Sequence, residues 1–272
     1  MGFSVNTNIG AMAALQSLNE TNKGLATTQS RINTGLNVAS TKDNSAAFTI
    51  AQTLRGDMGG LKAVSSSLSR AKSTTDVAVA GAEQISDLVN QMKAKAVEAS
   101  DAGMDADSRT AIGKDVDALK EQINTIIDSS EFNGTNLLKA SGGSVSALQS
   151  TDTSASKLTL ANQDMTAVVT AIGATFTDAT TAGAMVTRLE TAATSINTKL
   201  SDLGSASRKI DGQASFVSKL SDVIEGGIGN LVDADLAKES ARRQALQVKQ
   251  QLGVQALSIA NQAPQSISSL FR

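Results

Sequence analysis

Apolar positions recur in sevens along much of the chain. Leu189, Ile196, Leu203, Ile210, Val217, Ile224 and Leu231 fall at an unbroken interval of seven, and Ala193, Leu200, Ser207, Ala214, Ser221 and Ile228 follow the first six by four. This is the a/d pattern of a coiled coil, with small residues at several d positions. A strict seven-residue period keeps its stripe on one side only if helices supercoil around each other. At 1.5 Å per residue the run spans roughly 60 Å, and a stripe of that length cannot be buried by one helix alone.

Partner helices are predicted upstream. Ile112, Val116, Leu119, Ile123 and Ile126 follow a 4-3-4-3 spacing, with Asp107 or Ser108 as the predicted N-cap. Leu54, Met58, Leu61 and Leu68 begin a longer stripe that Ile85, Leu88, Met92, Ala96 and Ala99 continue in a shifted register. Gly59, Gly60 and Gly81 fall inside that stretch and weaken it, each by about 1 kcal/mol against Ala. The Asp101–Asp107 segment, with Gly103, reads as the turn between the two helices.

Residues 132–183 have a different texture. Phe132-Asn133-Gly134 is a turn signal, and Ser141-Gly142-Gly143-Ser144 reads as a loop. Lys157-Leu158-Thr159-Leu160 alternates and Thr175-Phe176-Thr177 is β-prone, so a small hairpin region is expected as a decoration on a helical rod. At the ends, Ala11, Leu15, Leu18, Leu25, Ile32 and Leu36 define a second seam, diluted by Asn22 and Gln29. Leu236, Leu246, Leu252, Leu257 and Ile259 are less regular, with Gln and Ala between them. Isolated helices so thinly apolar are marginal in water. Both tails are therefore expected to be disordered in a free monomer and to fold on assembly.

Composition sharpens this picture. The 272 residues include no Cys, His, Trp or Tyr and one Pro, and aromatics make up 2%. The apolar content is small and medium aliphatic, which suits helix seams better than a thick core filled with rings. Without Cys and His, disulfides, thiol nucleophiles, Ser-His triads and nearly all structural zinc sites are out of reach. No run approaches 18 apolar residues, and the first residues lack a secretory signal and the myristoylation pattern.

The formal charge of −2 is unevenly distributed. Lys23, Arg31 and Lys42 against Glu20 leave residues 1–42 at +2, and residues 231–272 also carry +2, so the middle carries −6. Without aromatic interleaving or dense Lys/Arg clusters, the basic ends read as solvated or partner-facing helix surfaces, not as a nucleic-acid interface. Gly226-Gly227-Ile228-Gly229-Asn230 has no preceding strand and no following Lys-Ser/Thr, so it reads as a helix irregularity and not a phosphate loop. Asp101, Asp105 and Asp107 lack the calcium-loop pattern. Asp233 and Asp235 flank an Ala in a helix-capping context. No catalytic residue, cofactor or metal is expected.

The two ends resemble bacterial flagellin. Ser4-Val5-Asn6-Thr7-Asn8 is similar to the family's opening, and Arg31-Ile32-Asn33-Thr34-Gly35-Leu36 with Ala39-Ser40-Thr41-Lys42-Asp43-Asn44 to the stretch that follows it. Phe132-Asn133-Gly134 resembles the end of the family's third helix. Asp233-Ala234-Asp235, then Ala256–Asn261, Gln262, Pro264, Gln265 and Leu270-Phe271-Arg272, resemble its closing stretch. The likeness covers roughly residues 1–140 and 186–272.

That resemblance implies a mainly α polymer subunit. Residues 1–42 and 232–272 would be paired helices forming an inner tube on assembly, and 43–231 a helical rod with a small β/loop insert near 132–183. Val5, Ile9, Leu15, Leu18, Leu25, Ile32, Leu236, Leu246, Leu252, Leu257, Ile259, Leu270 and Phe271 would pack the tube. Leu54, Leu61, Leu68, Ile112, Val116, Leu119 and Ile123 would join the seven-residue series 189–231 in the rod core. The large outer domains of longer members would be absent.

The implied role is the motility filament outside the cell, reached unfolded through the flagellum's own type III channel. The implied partners are further copies, related flagellins, the export apparatus and its chaperone, the filament cap and the hook-junction proteins, with no membrane or nucleic acid. Gln244, Gln247, Gln250, Gln251 and Gln255 would border the export channel. One segment departs from the family: where the vertebrate flagellin receptor reads an Arg-Val-Arg-Glu-Leu-like stretch, this chain has Gln91-Met92-Lys93-Ala94-Lys95. The Ala-Lys pair replaces Glu-Leu and predicts weak activation of that receptor. The alternatives are a hook–filament junction protein within the class, and a free coiled-coil adaptor or adhesin outside it.

Overall fold

The computed structural model describes residues 7–152, 154, 156–173 and 176–268, the last six of these for their backbone alone. Among them are six helices and one two-stranded sheet. The helices are α1 (Ile9–Thr34), α2 (Ser45–Ala99), α3 (Ala106–Ser129), α4 (Thr166–Ile172), α5 (Ala179–Val232) and α6 (Leu236–Ser268). The strands β1 (Val145–Ala147) and β2 (Leu158–Leu160) pair antiparallel, Val145 opposite Leu160 and Ala147 opposite Leu158. The chain divides into two compact units, residues 1–56 with 223–272, and residues 57–222.

The larger unit is held by rows of buried aliphatics at heptad spacing. Leu189, Ile196 and Leu203 on α5 are wholly buried, with Ile210 and Val217 close behind. Each such side chain contributes about 1.5–3 kcal/mol by leaving water. The seven-residue series does not hold to its end, because Ile224 and Leu231 are half-buried while Ile228 and Val232 take the interior positions. The step from Val217 to Ile228 is eleven residues, which follows the natural pitch of an untwisted helix where a seven-residue step would drift off its seam.

α2 is one helix of 55 residues, and its glycines do not interrupt it. The shift of register expected from sequence is also absent. Leu61, Leu68, Thr75, Ala82, Val89 and Ala96 form one buried row, with Leu54 half-buried at its head, and Val64, Ala71, Ala78, Ile85, Met92 and Ala99 form the adjacent row. The small residues in the middle hid this continuity. A third row, Gly60, Ser67, Thr74 and Gly81, also keeps the seven-residue step and lets the 130–151 segment lie close along the helix. A Cβ on Gly60 would stand 2.6 Å from Thr151 Cγ2, and one on Gly81 would meet Ser130 and stand 2.9 Å from Leu138 Cδ1. Between them, the Ser67 hydroxyl accepts from the Leu148 amide at 3.2 Å. These two glycines are sites of close approach.

The turn from α2 to α3 is closed by Arg109, which is buried and donates to the carbonyls of Ala99 (2.9 Å), Asp101 (2.8 Å) and Met104 (3.2 Å). The N-cap of α3 is Asp105, two residues earlier than expected, because its carboxylate reaches the Ser108 amide at 2.8 Å and hydroxyl at 2.7 Å. Ile112, Val116 and Ile123 are buried and Leu119 is half-buried. Lys72–Asp211, Lys93–Glu190 and Lys95–Asp115 tie the helices at 3.0–3.1 Å, but all are exposed and add little to the apolar rows.

The insert is organised around Asn136. Its amide donates to the Ile127 carbonyl at 2.6 Å, and its side-chain oxygen accepts from the Leu138 and Lys139 amides, both at 2.9 Å. The chain reverses at Phe132–Thr135 through Asn133 (φ 51°) and Gly134 (φ 78°), the conformation an Asn-Gly pair allows. Strand character at 158–160 is present, but Phe176 and Thr177 are not in a strand. Thr177 and Asp178 instead donate their amides to the Thr181 hydroxyl, starting α5, and Phe176 is buried as an anchor. Thr175 lies outside the described residues. α4 was not anticipated, since its seven residues are too few to show a helical period.

The Gly226–Asn230 cluster is likewise no irregularity: α5 runs through it to Val232, and the break falls at Asp233–Asp235.

Gly142 sits where a side chain would run into the Asn136 carbonyl oxygen, a backbone atom that cannot step aside. Gly142→Ala is therefore expected to lower the stability of the larger unit by about 1–3 kcal/mol. Thermal unfolding followed by circular dichroism would measure this, and an unchanged midpoint would contradict the packing described.

Candidate assembly surface

α1 and α6 pair antiparallel in a fixed register. The Asn8 amide donates to the Ala260 carbonyl at 2.7 Å, the Gln250 amide to Asn22 Oδ1 at 2.8 Å, and the Arg31 guanidinium meets the Glu239 carboxylate at 3.2 Å. Asn8 also caps α1, accepting from the Ala11 amide at 3.0 Å. Between these polar ties the helices meet on glycine. A Cβ on Gly24 would touch both Leu246 methyls at 3.6 Å, and one on Gly253 would stand 3.3 Å from Leu18 Cδ1. Two helices that meet through hydrogen atoms approach closely but bury few side chains.

The burial pattern reflects this. Along α1 and the part of α6 whose side chains are described, the fully buried residues are Thr28 and Glu239, both polar. Leu18, Leu25, Ile32, Leu246 and Leu257 are half-buried in the seam. Ile9 (76% exposed), Leu15, Leu236, Leu252 and Ile259 (69%) stand in water, with Met12, Val248 and Val254 beside them. Val5, Leu270 and Phe271 lie outside the described residues. Sequence reasoning therefore grouped two kinds of residue: those inside the pair and those facing away from it. It missed Met12, Val248, Val254, Thr28 and Glu239. Aligning the two ends antiparallel, glycine against leucine, is the signal that would have separated them.

Glu239 is the polar centre of this unit. One carboxylate oxygen takes Arg31 at 3.2 Å and, more loosely, Arg242 at 3.8 Å, while the other oxygen and the Arg243 Nε are buried without a partner among the described residues.

The corner joining the paired helices is fixed by backbone. Gly35 closes α1 in the left-handed conformation (φ 71°), which an L side chain resists, and donates to the Arg31 carbonyl. Asn37 and Val38 both donate to the Val232 carbonyl at 2.7 and 3.1 Å, and Ala234 donates to the Gly35 carbonyl at 2.8 Å. Asp235 caps α6 through the Ala237 and Lys238 amides, each at 3.0 Å. In the following loop, Asp43 Oδ2 gathers the Ser40 hydroxyl (3.0 Å), the Ser40 amide (2.9 Å) and the Ala39 amide (3.1 Å). The Ser40 bonds chiefly, with the Ala39 amide and the Arg31 charge, hold its carboxyl below the usual carboxylate range.

In the receptor-like segment, Gln91 and Ala94 are exposed, and the two lysines are engaged: Lys93 with Glu190 at 3.0 Å, Lys95 with Asp115 at 3.1 Å. Among the described residues no group of three or more acidic side chains is placed to hold a metal ion, and no helix is long and apolar enough to cross a membrane.

Comparison with known proteins agrees with this arrangement of ends. Residues 5–143 match the family model described as the bacterial flagellin N-terminal helical region, and residues 186–271 match the C-terminal helical region. The chain is 45% identical over 269 residues to flagellin FljK of Caulobacter vibrioides, covering 99% of this chain and 98% of that one. It is 38% identical over 281 residues to a flagellin of Brucella melitensis, covering 99% of each. Among solved structures, the crystal structure of Bacillus cereus flagellin superposes with a TM-score of 0.51 at 26% identity, over 54% of this chain and 86% of that one.

A carboxyl with a depressed pKa in the folded state stabilises fully above its unfolded value and ceases to do so as pH falls through the folded value. The Ala39 and Ser40 amide signals in NMR are expected to move with a midpoint below the ordinary carboxylate value of 3.8. Asp43→Asn should abolish that transition, and movement centred above 3.8 would contradict the assignment.

Proposed function

The chain belongs to the bacterial flagellin family, as a structural subunit of a filament, and from that premise we propose that it polymerises through the outward apolar stripes of α1 and α6. The observation that carries this is the exposure of Ile9, Met12, Leu15, Val248, Leu252, Val254 and Ile259 on a helix pair whose own seam sets glycine against leucine and leaves its leucines half-buried. Such a pair has an unburied stripe on each helix, and laying copies side by side removes those stripes from water. Association through two different faces of one molecule builds an open helical polymer wherever its rotation does not close a ring.

In this reading the terminal helices form the inner tube and the remainder surrounds it. The seam is thin enough that the free pair frays, and its order is completed by neighbours. A weakly folded end also suits unfolded passage through the flagellar type III channel, with an export chaperone, cap and hook-junction proteins as partners on the way to an extracellular filament. The chain acts by assembly and not by catalysis.

Electron microscopy of the purified chain, seeded with filament fragments, tests this beside a version lacking its last 20 residues. The full chain is expected to give micrometre filaments and the truncation none. Equal filaments from both would remove the end of α6 beyond Leu252, with Val254 and Ile259, from the assembly surface. Failure of the full chain to assemble under any seeding would favour the adaptor or junction reading.

A further inference from the structure

We infer that Met12 is an oxidation site that controls whether a free subunit joins the filament: a peroxide converts its thioether to the sulfoxide, and the altered α1 stripe no longer seats on a neighbour. The inference rests on the filament reading and adds to it a chemistry of the same surface. The chain has seven Met and no Cys, His, Trp or Tyr, so its thioethers are the side chains that a mild oxidant attacks. Their settings differ. Met92, Met165 and Met185 are buried and Met58 and Met104 are half-buried, whereas Met12 is 65% exposed. Among the described residues it is the methionine that a dissolved oxidant reaches first.

Its position gives the modification a consequence. Ile9, Met12 and Leu15 follow one another at three-residue steps, each about 4.5 Å along α1 and about 60° around it. Met12 therefore stands at the centre of the exposed apolar patch that opens α1, with Ile9 on one side and Leu15 on the other. The stretch from Asn8 to Gln16 carries no charge. The other exposed stripe residues, Ile9, Leu15, Val248, Leu252, Val254 and Ile259, are aliphatic and inert to peroxide.

In the step itself, a lone pair of the Met12 sulfur attacks one oxygen of hydrogen peroxide. The S–O bond forms as the O–O bond breaks, and the departing hydroxide takes the proton of the transferred hydroxyl. The sulfur is oxidised by two electrons, and one sulfoxide and one water result. The sulfoxide oxygen is a strong acceptor, and enclosing it among Ile and Leu side chains that donate nothing opposes burial. The chain has no thiol to reverse the change, so repair falls to a sulfoxide reductase, which oxidises two thiols to a disulfide and releases the oxygen as water. A neighbour that covers Met12 also shuts out the oxidant, so oxidation and assembly exclude each other.

The test treats the full chain with hydrogen peroxide, as monomer and as filament, and places the added oxygen by tandem mass spectrometry of its peptides. The critical concentration for growth on untreated wild-type seeds is then measured for wild type, Met12→Leu and Met12→Gln, each before and after treatment. In the monomer Met12 should take up oxygen ahead of Met58, Met92, Met104, Met165 and Met185, and in the filament it should stay unmodified. Treatment should raise the wild-type critical concentration by about tenfold, and methionine sulfoxide reductase with a thiol should bring it back. Met12→Leu should not respond to peroxide, and Met12→Gln should start at the raised value. Oxidised wild type that grows at its untreated concentration, a Met12→Leu chain that responds as wild type does, or equal oxidation of Met12 in monomer and filament would overturn the inference and leave the filament reading standing. An untreated chain that did not extend the seeds would instead be a failure of the filament reading, and the inference would fall with it.

Discussion

Everything distinctive about this subunit depends on how little α1 and α6 can bury against each other. Their seam places Gly24 against Leu246 and Gly253 against Leu18, so the backbones come close and few side chains are enclosed. Close backbone approach gives register, which Asn8–Ala260, Asn22–Gln250 and Arg31–Glu239 then fix at either end and in the middle. It does not give a hydrophobic core. The apolar residues such a core would have used point outward, where another molecule can cover them.

The larger unit has the opposite balance. Rows of Leu, Ile, Val, Met and Ala at seven-residue spacing on α2 and α5 are buried outright, with α3 supplying Ile112, Val116 and Ile123. That unit holds itself together, and its polar residues secure turns: Arg109 at the end of α2, Asn136 within the insert. A subunit with one self-sufficient unit and one that is short of buried surface has its association energy concentrated at the chain ends. This is a physical basis for polymerisation through the chain ends.

Much of this was legible in the sequence because coiled-coil burial writes itself as a period. The run from Leu189 to Val217, the 4-3 spacing of α3 and the apolar stripes of the tails follow from residue type and interval alone. What stayed hidden involved small residues. Gly60 and Gly81 resemble helix breakers until Thr151, Ser130 and Leu138 are seen to occupy the space a side chain would need. Thr75 and Ala82 concealed that the two stripes of α2 are rows of one unbroken face. α4 was too short to declare a period, and the burial of Glu239 could not be read from a Glu amid Lys and Arg.

The central claim is that the α1–α6 pair is incomplete until neighbours cover it. Amide hydrogen exchange, compared between free monomer and filament, addresses it most directly. The account predicts fast exchange along α1 and α6 in the monomer, slow exchange along α2 and α5, and strong protection of all four in the filament. Protection of α1 and α6 in the free monomer equal to that of α5, unchanged on assembly, would contradict it.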